Sequence, residues 1–168
     1  MKNTELSQTD IQRLIKLLEI DEIKNLKLRY SQLMDNIDIE GLAELFTEDA
    51  VCHFGPYGQW AGRDEIRDNY RNVMSTLVRA PFGSMHHICN HWVELKDAIT
   101  ASGRSYLIDV LTERKPDENP VLWYALYDEE YRKVAGSWKI SYSCIHFLWP
   151  DRHVDDAILG RFPQPGPP

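Results

Sequence analysis

Histidines are concentrated in residues 84–92, SMHHICNHW, which hold three of the six histidines in the chain. Three imidazoles could bind a metal, one could act as a general base near neutral pH, or all could be ordinary strand residues. On an extended strand His86 and His87 diverge, and His87 and His91 lie roughly 13 Å apart at about 3.3 Å per residue. Zinc needs ligand nitrogens that converge to about 2 Å from the ion. The spacing therefore disfavours a metal site.

The sequence alone does not determine which of these histidines point towards the interior of the protein. Val93 and Leu95 form the apolar face of the following WVELK segment. Strict alternation from that face would turn His87 and His91 inward and His86 outward. A β-bulge between residues 86 and 92 would reverse the order for the upstream residues.

A carboxylate on an apolar strand is a second candidate for chemistry. In GRSYLIDVL, residues 103–111, Asp109 lies between apolar neighbours on both faces. We expect it to be at least partly buried, either with a partner or as the protonated acid. The structural alternative is an ion pair with Arg104 or Arg114.

The last strand, SWKISYSCIHFLW, residues 137–149, shows a clear alternation. It places an apolar set on the interior face, and that set carries Tyr142 and His146 inward. His146 is then either a hydrogen-bonded core residue or a group that contacts a ligand.

Helices come first along the chain and strands afterwards. We predict helices over residues 8–37, with a possible break near 19–21, from Asp38 as the N-cap of a short helix, and over 63–77. The segment AVCHF is a short strand, and runs at 84–96, 100–113, 121–134 and 137–149 are strands that pair antiparallel. This order predicts an α+β fold with helices on one face of a curved sheet and a ligand site between the layers.

Composition limits the function classes. The 168 residues carry a formal net charge of −7, which disfavours nucleic acid and anionic membranes as partners. No apolar run is long enough to cross a bilayer, and three unpaired cysteines are typical of a reducing compartment, so we expect a cytoplasmic protein. We divide the chain into one domain, residues 1–150, and a proline-rich tail, residues 151–168.

Several segments resemble one family. IDEIKNLKLRYSQLMDNIDIEGLAELFTEDAVCHFG, GRDEIRDNYRNVM, MHHICNHWVEL, ASGRSYLID and YRKVAGSWKIS resemble SnoaL-like proteins of the nuclear transport factor 2-like superfamily over roughly residues 19–148. Within it the chain resembles bile-acid 7α-dehydratase and, more distantly, scytalone dehydratase and lindane dehydrochlorinase. The resemblance implies a cone-shaped α+β barrel, with N-terminal helices on the concave face of a curved, mixed or antiparallel sheet.

The resemblance also implies a catalytic set. The residues that match the functional positions of the dehydratase are Tyr30, Asp35, His86 and Asp109. His86 must then point inward, which requires the bulge that alternation cannot show. The arginine on the last strand of the dehydratase has no counterpart, because Phe147 occupies that position beside His146.

Together these residues suit elimination next to a carbonyl by a cofactor-independent lyase acting on an alicyclic, steroid-like or aromatic small molecule. The other substrate-binding candidates are histidines and aromatic residues: His87, Tyr124, Tyr142, His146, Phe54 and Trp60. The alternatives are an isomerase or cyclase, an epoxide hydrolase, and a non-catalytic binding protein or oxygenase small subunit. We expect no cofactor or metal, and a homotrimer or homodimer formed through exposed apolar residues such as Trp92, Phe147 and Trp149.

Overall fold

The computed structural model describes residues 6–77, 80–113, 115, 117–118 and 121–162. Its first helix is α1 (Gln8–Asp35). Ser7 caps it by accepting a hydrogen bond from the backbone N–H of Asp10, and the Asp10 carboxylate accepts from Ser7 in return. The predicted break near residues 19–21 is wrong, because α1 is continuous and contains no glycine or proline. The helix ends where Ile37 adopts a left-handed φ of 60°.

Three further helices and a turn follow. Helix α2 (Ile39–Ala43) begins at Asp38, whose carboxylate accepts from the Gly41 N–H at 2.9 Å, as predicted. Helix α3 (Arg63–Leu77) confirms the predicted bounds, and a short 3₁₀ turn (Gly55–Tyr57) precedes it. Helix α4 (Asp156–Leu159) lies near the C-terminus. None of the helices in the described residues is long and apolar enough to cross a membrane.

Six strands form one sheet. They are β1 (Phe46–His53), β2 (Gln59–Ala61), β3 (Ser84–Leu95), β4 (Thr100–Leu111), β5 (Val121–Val134) and β6 (Ser137–Trp149). Their order is β2-β1-β6-β5-β4-β3, and every pair is antiparallel except β1 with β6. The predicted α+β fold, the four long strands and their antiparallel pairing are confirmed.

A bulge in β3 determines which histidines face inward. Asn90 has a φ of 50°, and the register with β4 shifts between Cys89 and Trp92. The shift places His86 on the concave face and His87 on the outer, exposed face. The inward direction that alternation assigned to His87 is therefore wrong, and the bulge implied by the resemblance is present.

A second bulge, in β6, reverses the prediction for the last strand. Ile140 pairs with Tyr131 and Tyr142 pairs with Glu130, so Ser141 has no partner on β5. Residues 142–147 therefore change face relative to strict alternation, and a further unpaired residue, Leu148, restores the original face for Trp149. Tyr142 and His146 therefore lie on the outer face, and their predicted inward direction is wrong.

The segment assigned to a tail packs on this outer face. Phe147 forms an isolated bridge with His153, and Arg104 donates a hydrogen bond to the Leu159 carbonyl at 3.0 Å. Ile158 is buried against Cys144. Residues 151–162 are thus part of the fold, whereas residues 163–168 lie outside the described residues.

Candidate active site

A cavity of about 360 Å³ lies between the concave face of the sheet and helices α1 and α3; we call it the inner cavity. Aromatic and aliphatic side chains form most of its wall. Polar groups lie at two places, one around His86 and Asp109 and the other where tyrosine hydroxyls meet. Its lining residues are Tyr30, Met34, Phe54, Tyr57, Trp60, Tyr70, Val73, Met74, Thr76, Ser84, His86, Leu107, Asp109, Leu111, Trp123, Tyr127, Ile145 and Phe147.

Asp35 and His86 form a buried pair at this cavity. The Nδ1 of His86 lies 2.6 Å from one Asp35 carboxylate oxygen, and the His86 backbone N–H donates to both oxygens at 3.0 and 3.1 Å. The two side chains are only 8% and 6% exposed. A carboxylate can only accept here, so Nδ1 carries a proton, and in the neutral imidazole Nε2 has the free lone pair.

The position of Asp35 explains how α1 supplies this carboxylate. An ideal helix would separate Tyr30 and Asp35 by about 140°. Asp35 is the last residue of α1, and its own carbonyl accepts a hydrogen bond from the Phe82 N–H at 2.6 Å. The helix end is thus fixed against the start of β3. Asp35 is buried rather than facing solvent.

Asp109 lies next to His86 on the same face. The two residues are register partners across β3 and β4, which brings their Cβ atoms to about 5 Å of each other. Ser84 donates its hydroxyl to the Asp109 carboxylate at 2.5 Å. Arg104 is instead bound to Asp128 on the outer face, by hydrogen bonds of 2.6 and 2.8 Å. The alternative partner Arg114 lies outside the described residues.

Three tyrosine hydroxyls meet in the wall of the inner cavity. The Tyr30 hydroxyl lies 2.9 Å from that of Tyr70 and 3.4 Å from that of Tyr127. Burial raises the pKa of all three hydroxyls well above their ordinary value, so they stay neutral and can donate. Sequence reasoning missed Tyr70 and Tyr127 as site residues. Their positions on the apolar stripe of α3 and on the inward face of β5 could have indicated them.

Tyr57 is another lining residue that the sequence did not single out. Its pKa is raised, first by burial and then by the negative charge of Asp109. Its ring contacts Phe147, with centroids 6.0 Å apart. A neutral hydroxyl therefore lies on the side of the cavity that holds Asp109.

A buried ion pair packs against the rings of two of these tyrosines, Tyr30 and Tyr127. The Lys27 ammonium lies 2.7 Å from Glu129, and both side chains are almost completely buried. The same ammonium lies 4.0 Å from the Tyr30 ring centroid and 3.6 Å from that of Tyr127. Burial lowers the pKa of Lys27, and the Glu129 charge opposes that shift. Glu129 also accepts from the Tyr131 hydroxyl at 2.7 Å.

The predicted aromatic contacts divide between the two faces. Phe54 and Trp60 line the inner cavity, with their rings 4.8 Å apart. Phe147, which occupies the position of the dehydratase arginine, also lines the inner cavity. The prediction that Phe147 is exposed on the outer sheet face is therefore wrong. Tyr124 lies on the outer face, 40% exposed, with its ring near Trp149.

Two predicted histidines also lie away from the inner cavity. His87 is exposed, and its Nδ1 lies 3.1 Å from the Met85 carbonyl oxygen. His146 is fully buried beneath the C-terminal segment, with Nε2 3.1 Å from Asp128 and Nδ1 accepting from the Asp155 N–H at 3.3 Å. Tyr142 packs beside Cys144 under the same segment. None of these three side chains is among the lining residues of the inner cavity.

The arrangement combines a base with hydrogen-bond donors in a mostly apolar space. With Nδ1 bonded to Asp35, neutral His86 offers the lone pair of Nε2, and no group in the described residues bonds to Nε2. Tyr30, with its neutral hydroxyl, can stabilise an oxyanion. Together these groups can remove a proton from carbon and hold the resulting enolate.

Comparison with known proteins gives matches at the level of family and fold. The model of a SnoaL-like domain matches residues 16–143. A candidate scytalone dehydratase from Novosphingobium aromaticivorans is 26% identical, with a TM-score of 0.70, over 83% of this chain and 91% of that chain. A candidate aromatic ring hydroxylase from the same species is 27% identical, with a TM-score of 0.65, over 81% and 93%.

A hexachlorocyclohexane dehydrochlorinase from Novosphingobium barchaimii shares the fold, with 21% identity and a TM-score of 0.68, over 85% of this chain and 99% of that chain. None of the curated proteins matches the sequence.

Proposed function

This chain belongs to the SnoaL-like domain family, and from that membership and its site we propose that it is a cofactor-independent lyase of the dehydratase type. The observation that carries the proposal is the Asp35–His86 pair at the wall of a mostly apolar cavity, in which Asp35 bonds to Nδ1 and Nε2 has no partner among the described residues. The similarity to a candidate scytalone dehydratase and to a dehydrochlorinase supports elimination as the reaction class.

We propose that His86 Nε2 takes a proton from the carbon next to a substrate carbonyl. The negative charge of Asp35 stabilises the imidazolium, and the Tyr30 hydroxyl donates to the enolate oxygen. When the C–O bond of the leaving hydroxyl breaks, its electron pair stays on oxygen and the imidazolium returns the proton. Water leaves, the carbon–carbon double bond forms and His86 is neutral again. Asp109 orients the departing hydroxyl.

The lining and volume of the inner cavity support the proposal of an alicyclic, steroid-like or aromatic substrate. Rings of Phe54, Trp60, Trp123 and Phe147 contribute to its wall, and its volume of about 360 Å³ is at the lower end of the usual range for small-molecule sites. Among the described residues, no lysine or arginine lines the inner cavity, whereas the carboxylate-bearing Asp109 does. We therefore propose a substrate without a carboxylate or phosphate in the ring-binding part.

The test uses cyclic β-hydroxyketones screened for absorbance of the conjugated enone. We expect His86→Ala to lower kcat at least a hundredfold, since general base catalysis contributes about 10²–10⁴-fold. Asp35→Asn should also lower kcat while leaving the fold intact, because the amide keeps an acceptor for Nδ1. His87→Ala, a change on the outer face, is the matched control. Wild-type turnover in both site variants would overturn the mechanism.

Product analysis separates the alternatives that share this base. Elimination gives a product lighter by one water, whereas an isomerase or cyclase gives a product of unchanged mass. An epoxide hydrolase would incorporate labelled oxygen from water.

The similarity to a candidate aromatic ring hydroxylase favours one second function, a small subunit of a ring-hydroxylating oxygenase. Co-purification with a large iron–sulfur subunit, together with no turnover of any screened ketone, would support it. A homo-oligomer, trimer or dimer, remains our proposal. Its candidate interface is the outer sheet face, where Tyr106, Tyr124 and Trp149 are 48%, 40% and 51% exposed.

A further inference from the structure

The Asp109 carboxylate lines the inner cavity and uses only part of its capacity to accept hydrogen bonds. One oxygen accepts from the Ser84 hydroxyl at 2.5 Å, and within the described residues the other oxygen has no hydrogen-bond partner. Asp109 is partly buried, and a carboxylate in such a position is stabilised by an adjacent cation. A positively charged group of a ligand would therefore complete its surroundings.

Two aromatic side chains lie beside this carboxylate, and a third joins them. Trp123 is the register partner of Asp109 across β4 and β5, which brings their Cβ atoms to about 5 Å of each other. Burial raises the pKa of Tyr57, and the negative charge of Asp109 raises it further, so the Tyr57 ring also lies near the carboxylate. The Phe147 ring contacts both of the others, with its centroid 6.0 Å from that of Tyr57 and 6.2 Å from that of Trp123. We call Tyr57, Trp123 and Phe147 the aromatic corner.

The orientation of the aromatic corner suits a cation. Its rings meet at interplanar angles of 59° and 83°, so they form adjoining walls rather than a face-to-face stack. The face of an aromatic ring carries a negative potential and attracts an ammonium group within about 6 Å of the ring centroid. Adjoining aromatic walls are an arrangement with which proteins recognise alkylammonium ligands. The aromatic corner and the Asp109 carboxylate would thus attract the same positive charge.

The other charged groups near this end of the cavity do not neutralise Asp109 in the described part of the chain. Among the described lining residues there is no lysine or arginine. Arg104, on the same strand as Asp109, is bound to both carboxylate oxygens of Asp128 on the outer face. The His86 ring, on the other side of Asp109, bonds through Nδ1 to Asp35. The formal net charge of −7 adds a general attraction for cations.

We propose that this end of the inner cavity binds an alkylammonium group of the substrate, with Asp109 as its counter-charge and the aromatic corner as its walls. The substrate is then a ring compound that carries a quaternary ammonium group or an amine that is protonated at neutral pH. Asp109 can contact the ammonium group and still accept from the departing hydroxyl, because a carboxylate has several lone-pair directions. This rests on the proposed function only in taking the inner cavity as the ligand site.

The test compares two probes of the same shape by calorimetric titration at pH 7. They are (3-hydroxyphenyl)trimethylammonium, which is a cation, and 3-tert-butylphenol, which has carbon in place of the charged nitrogen. We expect the wild type to bind the cation about tenfold more tightly or better, because its charge contacts both Asp109 and the aromatic corner.

Removal of the counter-charge should remove most of this preference. In Asp109→Asn we expect a preference of about threefold or less, with the Kd of 3-tert-butylphenol unchanged within about twofold. Asp151→Asn removes the same charge at an exposed position outside the lining of the inner cavity. It is the matched control and should keep the wild-type preference, which separates a local contact from the general effect of net charge.

A second variant tests the aromatic corner. Trp123→Leu removes one ring and leaves an apolar side chain in its place, so it should weaken binding of the cation severalfold more than binding of 3-tert-butylphenol. Tyr124→Leu, which changes a side chain 40% exposed on the outer face, is the matched control and should affect neither probe.

Equal affinity of the wild type for the two probes, tighter binding of 3-tert-butylphenol, or no binding of either probe would overturn the proposal. A full cation preference in folded Asp109→Asn or in folded Trp123→Leu, with folding checked by circular dichroism, would also overturn it. Because the readout is binding, the outcome is independent of whether His86→Ala abolishes turnover. Failure of the alkylammonium site and failure of the proposed lyase mechanism are therefore distinguishable.

Discussion

The third histidine of SMHHICNHW, His91, should make the stability of the fold depend on pH. Burial, as the main cause, lowers the pKa of His91 from 6.5 to about 4, and its Nε2 lies 3.1 Å from the Tyr131 hydroxyl. In the unfolded chain the imidazole binds a proton below about pH 6.5, whereas in the folded protein it stays neutral down to about pH 4. The unfolded state therefore binds more protons in this window, and the free energy of unfolding falls as the pH is lowered through it.

The magnitude follows from the two pKa values. At 1.36 kcal/mol per pH unit, the interval between 6.5 and about 4 corresponds to about 3 kcal/mol at full effect. At pH 5 the unfolded imidazole is almost fully protonated, and the linked loss is about 2 kcal/mol. At pH 7 the loss is close to zero.

Urea unfolding followed by tryptophan fluorescence at pH 7 and pH 5 measures this effect. In His91→Gln the loss of free energy between the two pH values should be about 2 kcal/mol smaller than in the wild type. His87→Gln, which changes an exposed histidine, should leave the wild-type loss unchanged. The same loss in His91→Gln as in the wild type would refute the reasoning.

Two further predictions concern the groups behind and within the inner cavity. Lys27→Met should lower the free energy of unfolding by about 3–5 kcal/mol, since it leaves the Glu129 carboxylate buried without its cation. In urea unfolding, the double variant Lys27→Met with Glu129→Gln should recover most of that loss. A double variant no more stable than the single one would contradict this. Tyr30→Phe should lower kcat about 10²-fold with little change in KM, because the Tyr30 hydroxyl donates to charge that develops only in the transition state. An unchanged kcat in steady-state kinetics would exclude that role.

Periodicity in the sequence predicted the elements well because each has a distinct pattern and clear end signals. Helix α3 and the strands β5 and β6 have the predicted bounds, and Asp38 caps α2 as expected. The side-chain directions were harder to predict. A single unpaired residue, Ser141, reverses the face of residues 142–147 in β6, and nothing in SWKISYSCIHFLW distinguishes it from its neighbours. A bulge depends on pairing with another strand, so alternation within one strand cannot reveal it.

The tyrosine cluster was missed for a related reason. Tyr70 and Tyr127 each occupy an apolar stripe, where an aromatic residue is expected as core. Their role depends on three hydroxyls that meet from α1, α3 and β5, and no local pattern contains that convergence. Asp35 was likewise ambiguous, because only its contact with His86 distinguishes it from a polar residue in a turn.

Two Asp–His pairs lie on opposite faces of the sheet in the described residues, and their hydrogen bonds indicate which one can act as a base. His146 uses Nε2 towards Asp128 and Nδ1 to accept from a backbone N–H, so both ring nitrogens are occupied and the ring is a structural tie. Within the part of the chain that the structure describes, the His86 ring bonds only through Nδ1, to Asp35, and it borders the inner cavity. The bulge at Ser141 turns His146 away from that cavity, and the bulge near Asn90 turns His86 towards it. Two single-residue irregularities in pairing thus place one imidazole where it can take a proton and the other where it holds the C-terminal segment.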